Sequence, residues 1–190
     1  NYNTKIKSIA TLDATAGVTY EDYNFLNKNT TGNNFTFFEM RENGLHMASN
    51  VTNAQPIQKD YQLVSYLGRV NVSFLDKYLV TASFRADGSS KFAKGSRWGY
   101  FPSASLAWRM EQEEFMKHIN WLNQMKIRLG FGVTGNQGIN PYATFSDYSQ
   151  IIDYAKATGD QILAMAVSNL QNDGLKWERT SSWNVGLDFA

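Results

Sequence analysis

Apolar and polar residues alternate through most of this chain, and the alternation marks out its strands. In residues 78–86, Tyr78, Val80, Ala82, Phe84 and Ala86 share one phase, with Thr81, Ser83 and Arg85 on the other. Residues 98–109 repeat the arrangement, with Trp98, Tyr100, Pro102, Ala104, Leu106 and Trp108 opposite Ser103, Ser105 and Arg109. Successive side chains of a strand point to opposite faces, so each segment predicts a strand with one apolar and one polar face. The same period places four more strands. Residues 6–20 carry Ile6, Ala10, Leu12, Ala14, Ala16 and Val18 against Lys7, Thr11, Asp13 and Thr15, and residues 64–74 carry Val64, Tyr66, Gly68, Val70, Val72 and Phe74 against Ser65, Arg69, Asn71 and Ser73. Residues 125–134 set Ile127, Leu129, Phe131 and Val133 against Lys126, Arg128 and Thr134, and residues 183–189 set Trp183, Val185, Leu187 and Phe189 against Asn184 and Asp188. Residues 75–77 read as a tight turn. In residues 110–122 the period changes: Phe115, Ile119 and Leu122 are spaced as one helical face. Glu111, Glu113 and Glu114 lie near its start and Lys117 near its end, as the helix dipole favours, so a short helix with a solvated acidic start is expected. Residues 21–60, rich in Asn, Thr and Gly, and residues 135–180 lose the alternation and read as long loops.

Period alone does not decide whether the apolar faces touch a protein core or lipid, and a soluble β-sandwich satisfies the same alternation. Two further patterns favour lipid. Following the chain up and down, the connections at one end are residues 21–60, 87–97 and 135–180, and those at the other are the turn at 75–77 and the link at 110–123. Long loops on one side and short links on the other characterise outer-membrane barrels. Aromatic residues on the apolar face also fall at two levels: Phe74, Tyr78 and Trp108 toward the short links, Trp98 and Tyr100 toward the long loops. Two such levels separated by small and aliphatic side chains match the girdles at the two interfaces of a membrane barrel. On this reading Val70, Val80, Ala82 and Leu106 point to lipid, whereas Arg69, Arg85, Arg109 and Arg128 point into the lumen.

Composition and motifs narrow the chemistry. The 18 Lys and Arg against 17 Asp and Glu leave a net charge of +1, so no bulk charge draws the chain to nucleic acid. The 190 residues contain no Cys, which removes disulfides, zinc knuckles and thiol nucleophiles. No apolar run reaches the roughly 18 residues of a membrane-spanning helix, a test that barrel strands escape because half of each is polar. The first residues carry no signal-peptide pattern. "GFGVTG", residues 130–135, matches the spacing of a dinucleotide-binding loop and is the one feature favouring a nicotinamide-dependent enzyme. Such a loop must open a helix, and "NQGINPY" follows it instead, so glycines easing a barrel wall explain the motif better. His46 and His118, the only histidines, have no evident acid or nucleophile partner. No catalytic residue, metal site or cofactor is expected. Ligand or lid contacts are expected from loop aromatics, chiefly Tyr23, Phe37, Tyr142 and Tyr148. Exposed aromatics of this kind would also suit the alternative of a soluble carbohydrate-binding β-sandwich.

Five blocks occur in order along the chain: "RADGSSKF" at 85–92, "RWGYFPSASLAWR" at 97–109, "GNQGI" at 135–139, "LKWE" at 175–178 and "NVGLDF" at 184–189. In that order and strand context, residues 61–190 resemble the barrel of SusC/RagA-type TonB-dependent outer-membrane transporters. The resemblance implies an antiparallel, all-β barrel of about 22 strands in the bacterial outer membrane, plugged in its lumen. Residues 1–190 would supply about six of those strands, with long extracellular loops and one short periplasmic helix. It further implies non-enzymatic import of glycans or peptides, a SusD-like surface lipoprotein as lid, and energy delivered by TonB through the plug. No plug, TonB box or barrel-closing strand can be found in residues 1–190, so the chain is expected to be part of one barrel domain of a longer protein.

Overall fold

The computed structural model describes residues 1–7, 9–35, 41–54, 56–116, 122–155 and 161–190. Eleven strands occur among them: β1 (Tyr2–Ile6), β2 (Ala10–Asn27), β3 (Thr30–Phe35), β4 (Ala48–Asn53), β5 (Ile57–Phe74), β6 (Tyr78–Ser89), β7 (Trp98–Arg109), β8 (Met125–Asn136), β9 (Asp147–Ala155), β10 (Gln161–Asn169) and β11 (Glu178–Phe189). The chain divides into two compact units, one of Asn1–Glu21 with Gln62–Ala190 and one of Asp22–Tyr61. Seven strands form a single sheet in the order β1-β2-β5-β6-β7-β8-β11, and β3/β4 and β9/β10 each form a two-stranded sheet. Every described pairing is antiparallel.

Three features differ from the pattern-based expectation. The sheet has seven strands because Tyr2–Ile6 pairs with β2 as a separate strand, Tyr2 facing Ala14 and Ile6 facing Ala10. That segment alternates too briefly to register on its own. Ile6 and Lys7, expected at the start of the strand over 6–20, belong instead to β1 and to the turn before β2, where Lys7 has φ 46°. Both predicted loops contain hairpins: β3/β4 is too polar to alternate, and β10, QILAMAVSN, is an apolar run with no period of two. The expected helix after β7 is two 3-10 turns, Met110–Gln112 and Glu114–Met116; the part of the prediction resting on Lys117 and Ile119 lies outside the described residues, as do His118 and Phe37. The turn at 75–77 is as expected. Lys77 N–H bonds to the Phe74 carbonyl at 3.0 Å, with Leu75 and Asp76 both at positive φ, 53° and 54°, the twist that joins antiparallel strands in a tight hairpin.

Register turns the alternation into continuous rows. Val70, Ala82, Ala104, Phe131 and Trp183 are successive partners across β5, β6, β7, β8 and β11. One step away, Val72, Val80, Leu106, Leu129 and Val185 form a second row. Between these apolar rows lies Asn71–Thr81–Ser105–Gly130–Asn184, on the opposite face. The apolar rows are the open ones: Val70, Val80, Leu106 and Leu129 are 41–46% exposed. A soluble sandwich buries this face against a second sheet, and no such sheet covers it among the described residues. An apolar band left open across five strands is the surface expected of a wall in contact with lipid.

The buried cluster lies on the other face, at the end of the sheet where the long loops emerge. Phe92 (1% exposed), Phe101 and Trp177 form it, with Leu63, Val133, Ile139 and Leu175 packed around them. Phe101 belongs to the polar phase of β7, whose register sets it opposite Arg85. Its ring packs edge-on to Trp177, centroids 5.3 Å apart, and Phe92 lies against the same indole at 5.3 Å. The Trp177 Nε1–H donates to the Arg97 carbonyl at 2.8 Å, so the ring has both an apolar seat and a satisfied donor. A Cβ on Gly99 or on Gly135 would overlap the Phe101 ring, and the ring lies across both glycines.

In the unit Asp22–Tyr61, β3 and β4 pair from Thr30–Asn53 to Phe35–Ala48. A 3-10 helix, Arg41–Met47, precedes β4 and carries the exposed His46. The rings of Tyr23 and Tyr61 stack with centroids 4.9 Å apart.

Candidate functional site

The candidate functional surface is the polar face of the sheet with the loops at its far end. Below the Phe101 cluster, Ser65 and Asp87 are buried, and Arg85 satisfies both. Its Nε–H donates to the two Asp87 oxygens at 2.7 and 2.9 Å, and its Nη2 to Ser65 Oγ at 3.0 Å. Charge-assisted bonds of this kind offset the cost of withdrawing a carboxyl group from water. Toward the middle of the strands the face becomes shallow: Ser83, Ser103, Gly132 and Ser182 lie in one row, with Ser83 and Ser103 hydroxyls 2.7 Å apart. Arg69, facing Ser83, stands at the margin of this row and is exposed, without a hydrogen-bond or ionic partner among the described residues.

At the short-link end Glu113 gathers three donors. Lys77 Nζ reaches its Oε2 at 2.9 Å, while Tyr78 Oη at 2.8 Å and Trp108 Nε1 at 3.2 Å donate to Oε1. The Lys77 ammonium, then the Tyr78 hydroxyl and the Trp108 indole, hold the Glu113 carboxyl below its usual range, and Glu113 in turn holds Lys77 above its own. Tyr78 and Trp108 face the apolar side and stack with centroids 6.3 Å apart, so two interfacial rings are tied by their polar tips. Arg109 is fixed beside them, Nε to Glu111 Oε1 at 2.9 Å and Nη1 to the Asp76 carbonyl at 3.3 Å. Burial would raise the Glu111 pKa, but bonds from Arg109, its own backbone and Met125 outweigh burial and lower it. The acidic cluster expected as a solvated helix start is instead an internal clasp, because the 3-10 turns direct Glu111 and Glu113 back to the sheet end.

The arginines singled out in the sequence are thus dispersed rather than gathered. Arg69 is open, Arg85 is engaged at the loop end and Arg109 at the short-link end. Arg128 pairs with Asp188 on the adjacent strand at 2.7 Å. Among the loop aromatics, Tyr23 is stacked on Tyr61. Tyr142, at φ 67°, opens a turn in which Phe145 N–H reaches its carbonyl at 2.9 Å. Tyr148 is exposed on β9 opposite Val167. Gly130, Gly132 and Gly135 all lie within β8, a strand, and do not open a helix. Among the described residues no group of His, Cys, Asp or Glu is placed to hold a metal ion, and no helix is long and apolar enough to cross a membrane. Alternation could not reveal the Glu113 clasp, whose partners come from two other segments, Lys77 with Tyr78 and Trp108.

Known proteins place this geometry. The sequence family described as TonB dependent receptor-like, beta-barrel matches residues 2–190. TonB-dependent receptor SusC of Bacteroides thetaiotaomicron is 46% identical over 130 residues, covering 67% of this chain and 13% of that protein. TonB-dependent receptor P39 of Formosa agariphila is 31% identical over 196 residues, covering all of this chain and 18% of that protein. A solved structure of the RagAB peptide transporter superposes with a TM-score of 0.80 at 23% identity, covering 98% of this chain and 20% of that one. The chain therefore spans under a fifth of the length of the curated relatives it matches.

Proposed function

The chain belongs to the TonB-dependent receptor-like β-barrel family, as a segment of a SusC/RagA-type outer-membrane barrel, and from that premise we propose that it forms part of the wall of a TonB-dependent importer of glycans or peptides. Its role is passage and not catalysis. The observation that carries this reading is the inverted sheet: apolar rows open on one face, polar rows and the protein's own buried cluster on the other. Residues 1–190 lie within one barrel domain, with Arg69, Arg85, Arg109 and Arg128 facing the lumen. Arg69, the open cation of the four, is available to whatever fills that lumen. The long loops lie outside the cell, where Tyr142 and Tyr148 present rings to ligand or to a SusD-like lipoprotein lid.

Energised uptake tests the reading. Cells carrying the full-length transporter should take up labelled oligosaccharide or oligopeptide, and deleting TonB should abolish that uptake while surface binding persists. Uptake unchanged without TonB would contradict it. Co-purification of the full-length protein with a surface lipoprotein tests the partner separately.

A further inference from the structure

A cavity of about 350 Å³ opens at the loop end of the sheet, with Phe92 of the buried cluster in its wall. Ser90, Lys94 and Arg97 from the β6–β7 loop line it, with Thr144 and Phe145 from the turn after β8, and Asp173 before β11. Thr144, a 4% exposed residue, lines the cavity with a hydroxyl that has no hydrogen-bond partner among the described residues and is free to donate to a bound group. Two cations share the lining. Arg97 spends Nε–H on the Phe92 carbonyl at 3.3 Å, which orients the side chain and leaves both terminal amino groups without a partner among the described residues. Lys94 is exposed and likewise without one. The single anion, Asp173, is already engaged, its Oδ2 accepting from Gln171 Nε2 at 2.8 Å. Phe145 adds an exposed aromatic face.

A planar guanidinium fork held from behind, a second cation and a hydroxyl donor make a seat for a carboxylate, which accepts bidentate bonds from arginine. We propose that this cavity is a carboxylate-binding subsite at the mouth of the transporter, taking an acidic group of the imported molecule against Phe145. Two sources offer that group: the C-terminus of a peptide and the acid of a uronic sugar. The proposal rests on the importer reading, because only there does the loop end meet incoming solute.

Calorimetric titration of the purified full-length transporter tests it with two probe pairs. One pair is tri-galacturonate and its methyl ester, the other Ala-Ala-Ala and its C-terminal amide. At least one acid should bind about tenfold more tightly than its neutral counterpart, the size of effect a charge-assisted hydrogen bond supports. Which pair shows the preference identifies the source. Lys94→Gln, an exposed change that leaves the Phe92 and Trp177 bonds intact, should reduce the preference severalfold, as should Thr144→Val. Equal binding of acid and neutral forms, no binding of either acid, or a preference that survives Lys94→Gln would overturn the subsite. TonB-dependent uptake measured on the same protein separates the two readings. Energised uptake without acid preference removes this subsite alone, and loss of energy dependence removes the importer.

Discussion

Phe101 shows what one residue can settle. It occupies the polar phase of β7, where alternation predicts a small or hydrophilic side chain, and it became the centre of the buried cluster. The ring fits because Gly99 and Gly135 present no Cβ beneath it, which also supplies the physical reason for the last glycine of "GFGVTG". Gly135→Ala in the full-length barrel should therefore lower stability by about 1–3 kcal/mol through overpacking. Gly130→Ala, whose added Cβ would meet Asn184 Cβ at an ordinary 3.7 Å, should change it by under about 0.5 kcal/mol. Thermal unfolding in detergent compares the two, and equal effects would refute this role for Gly135. The glycines and the aromatic were visible in the sequence. Their contact was not, because Phe101 and Gly135 meet only through the pairing of separate strands and the loop-borne Trp177. The same limit hid the loop-end cavity, whose lining comes from three connections.

At the scale of elements, alternation found six of the seven sheet strands and the tight turn at 75–77. A strand with one buried or lipid-facing side must obey period two along its length. The hairpins β3/β4 and β9/β10 obey no such demand, and the 3-10 link after β7 is set by partners rather than by its own period. Those partners make the link pH-dependent. The depressed Glu113 pKa means that its contribution is present above the unfolded carboxylate value and is lost as pH falls through the folded one. The raised Lys77 pKa means that its contribution is present below the unfolded lysine value and is lost as pH rises through the folded one. The clasp is thus closed between the acid and alkaline limits, including neutral pH. Amide protection across residues 74–78 and 108–113, taken relative to the intrinsic exchange rate at each pH, should fall on acidification in the parent protein. In Glu113→Gln protection should be lower at neutral pH and lose most of that acid dependence. Equal exchange in both proteins at neutral pH would show that the clasp carries no stability.

For the whole molecule, the sheet inverts the usual arrangement, with its buried cluster on the polar face and its apolar rows open. Ala82 and Ala104 lie centrally in the row that runs from Val70 to Trp183. An arginine at position 82 should cost about 2–4 kcal/mol if this row crosses the bilayer midplane. Ser83→Arg, one residue along on the polar face, should cost under about 1 kcal/mol, and reversible unfolding of the full-length protein into lipid vesicles measures both. The face assignment itself is tested most directly by spin-label accessibility. Single cysteines at Ala82, Ser83, Ser103, Ala104, Phe131 and Gly132 of a full-length transporter lacking other cysteines would carry nitroxides in a bilayer. Power saturation should then show positions 82, 104 and 131 open to oxygen, which concentrates in lipid, and 83, 103 and 132 open to a water-soluble nickel chelate or shielded from both probes. The reverse alternation, or no alternation at all, would contradict a lipid-facing apolar sheet.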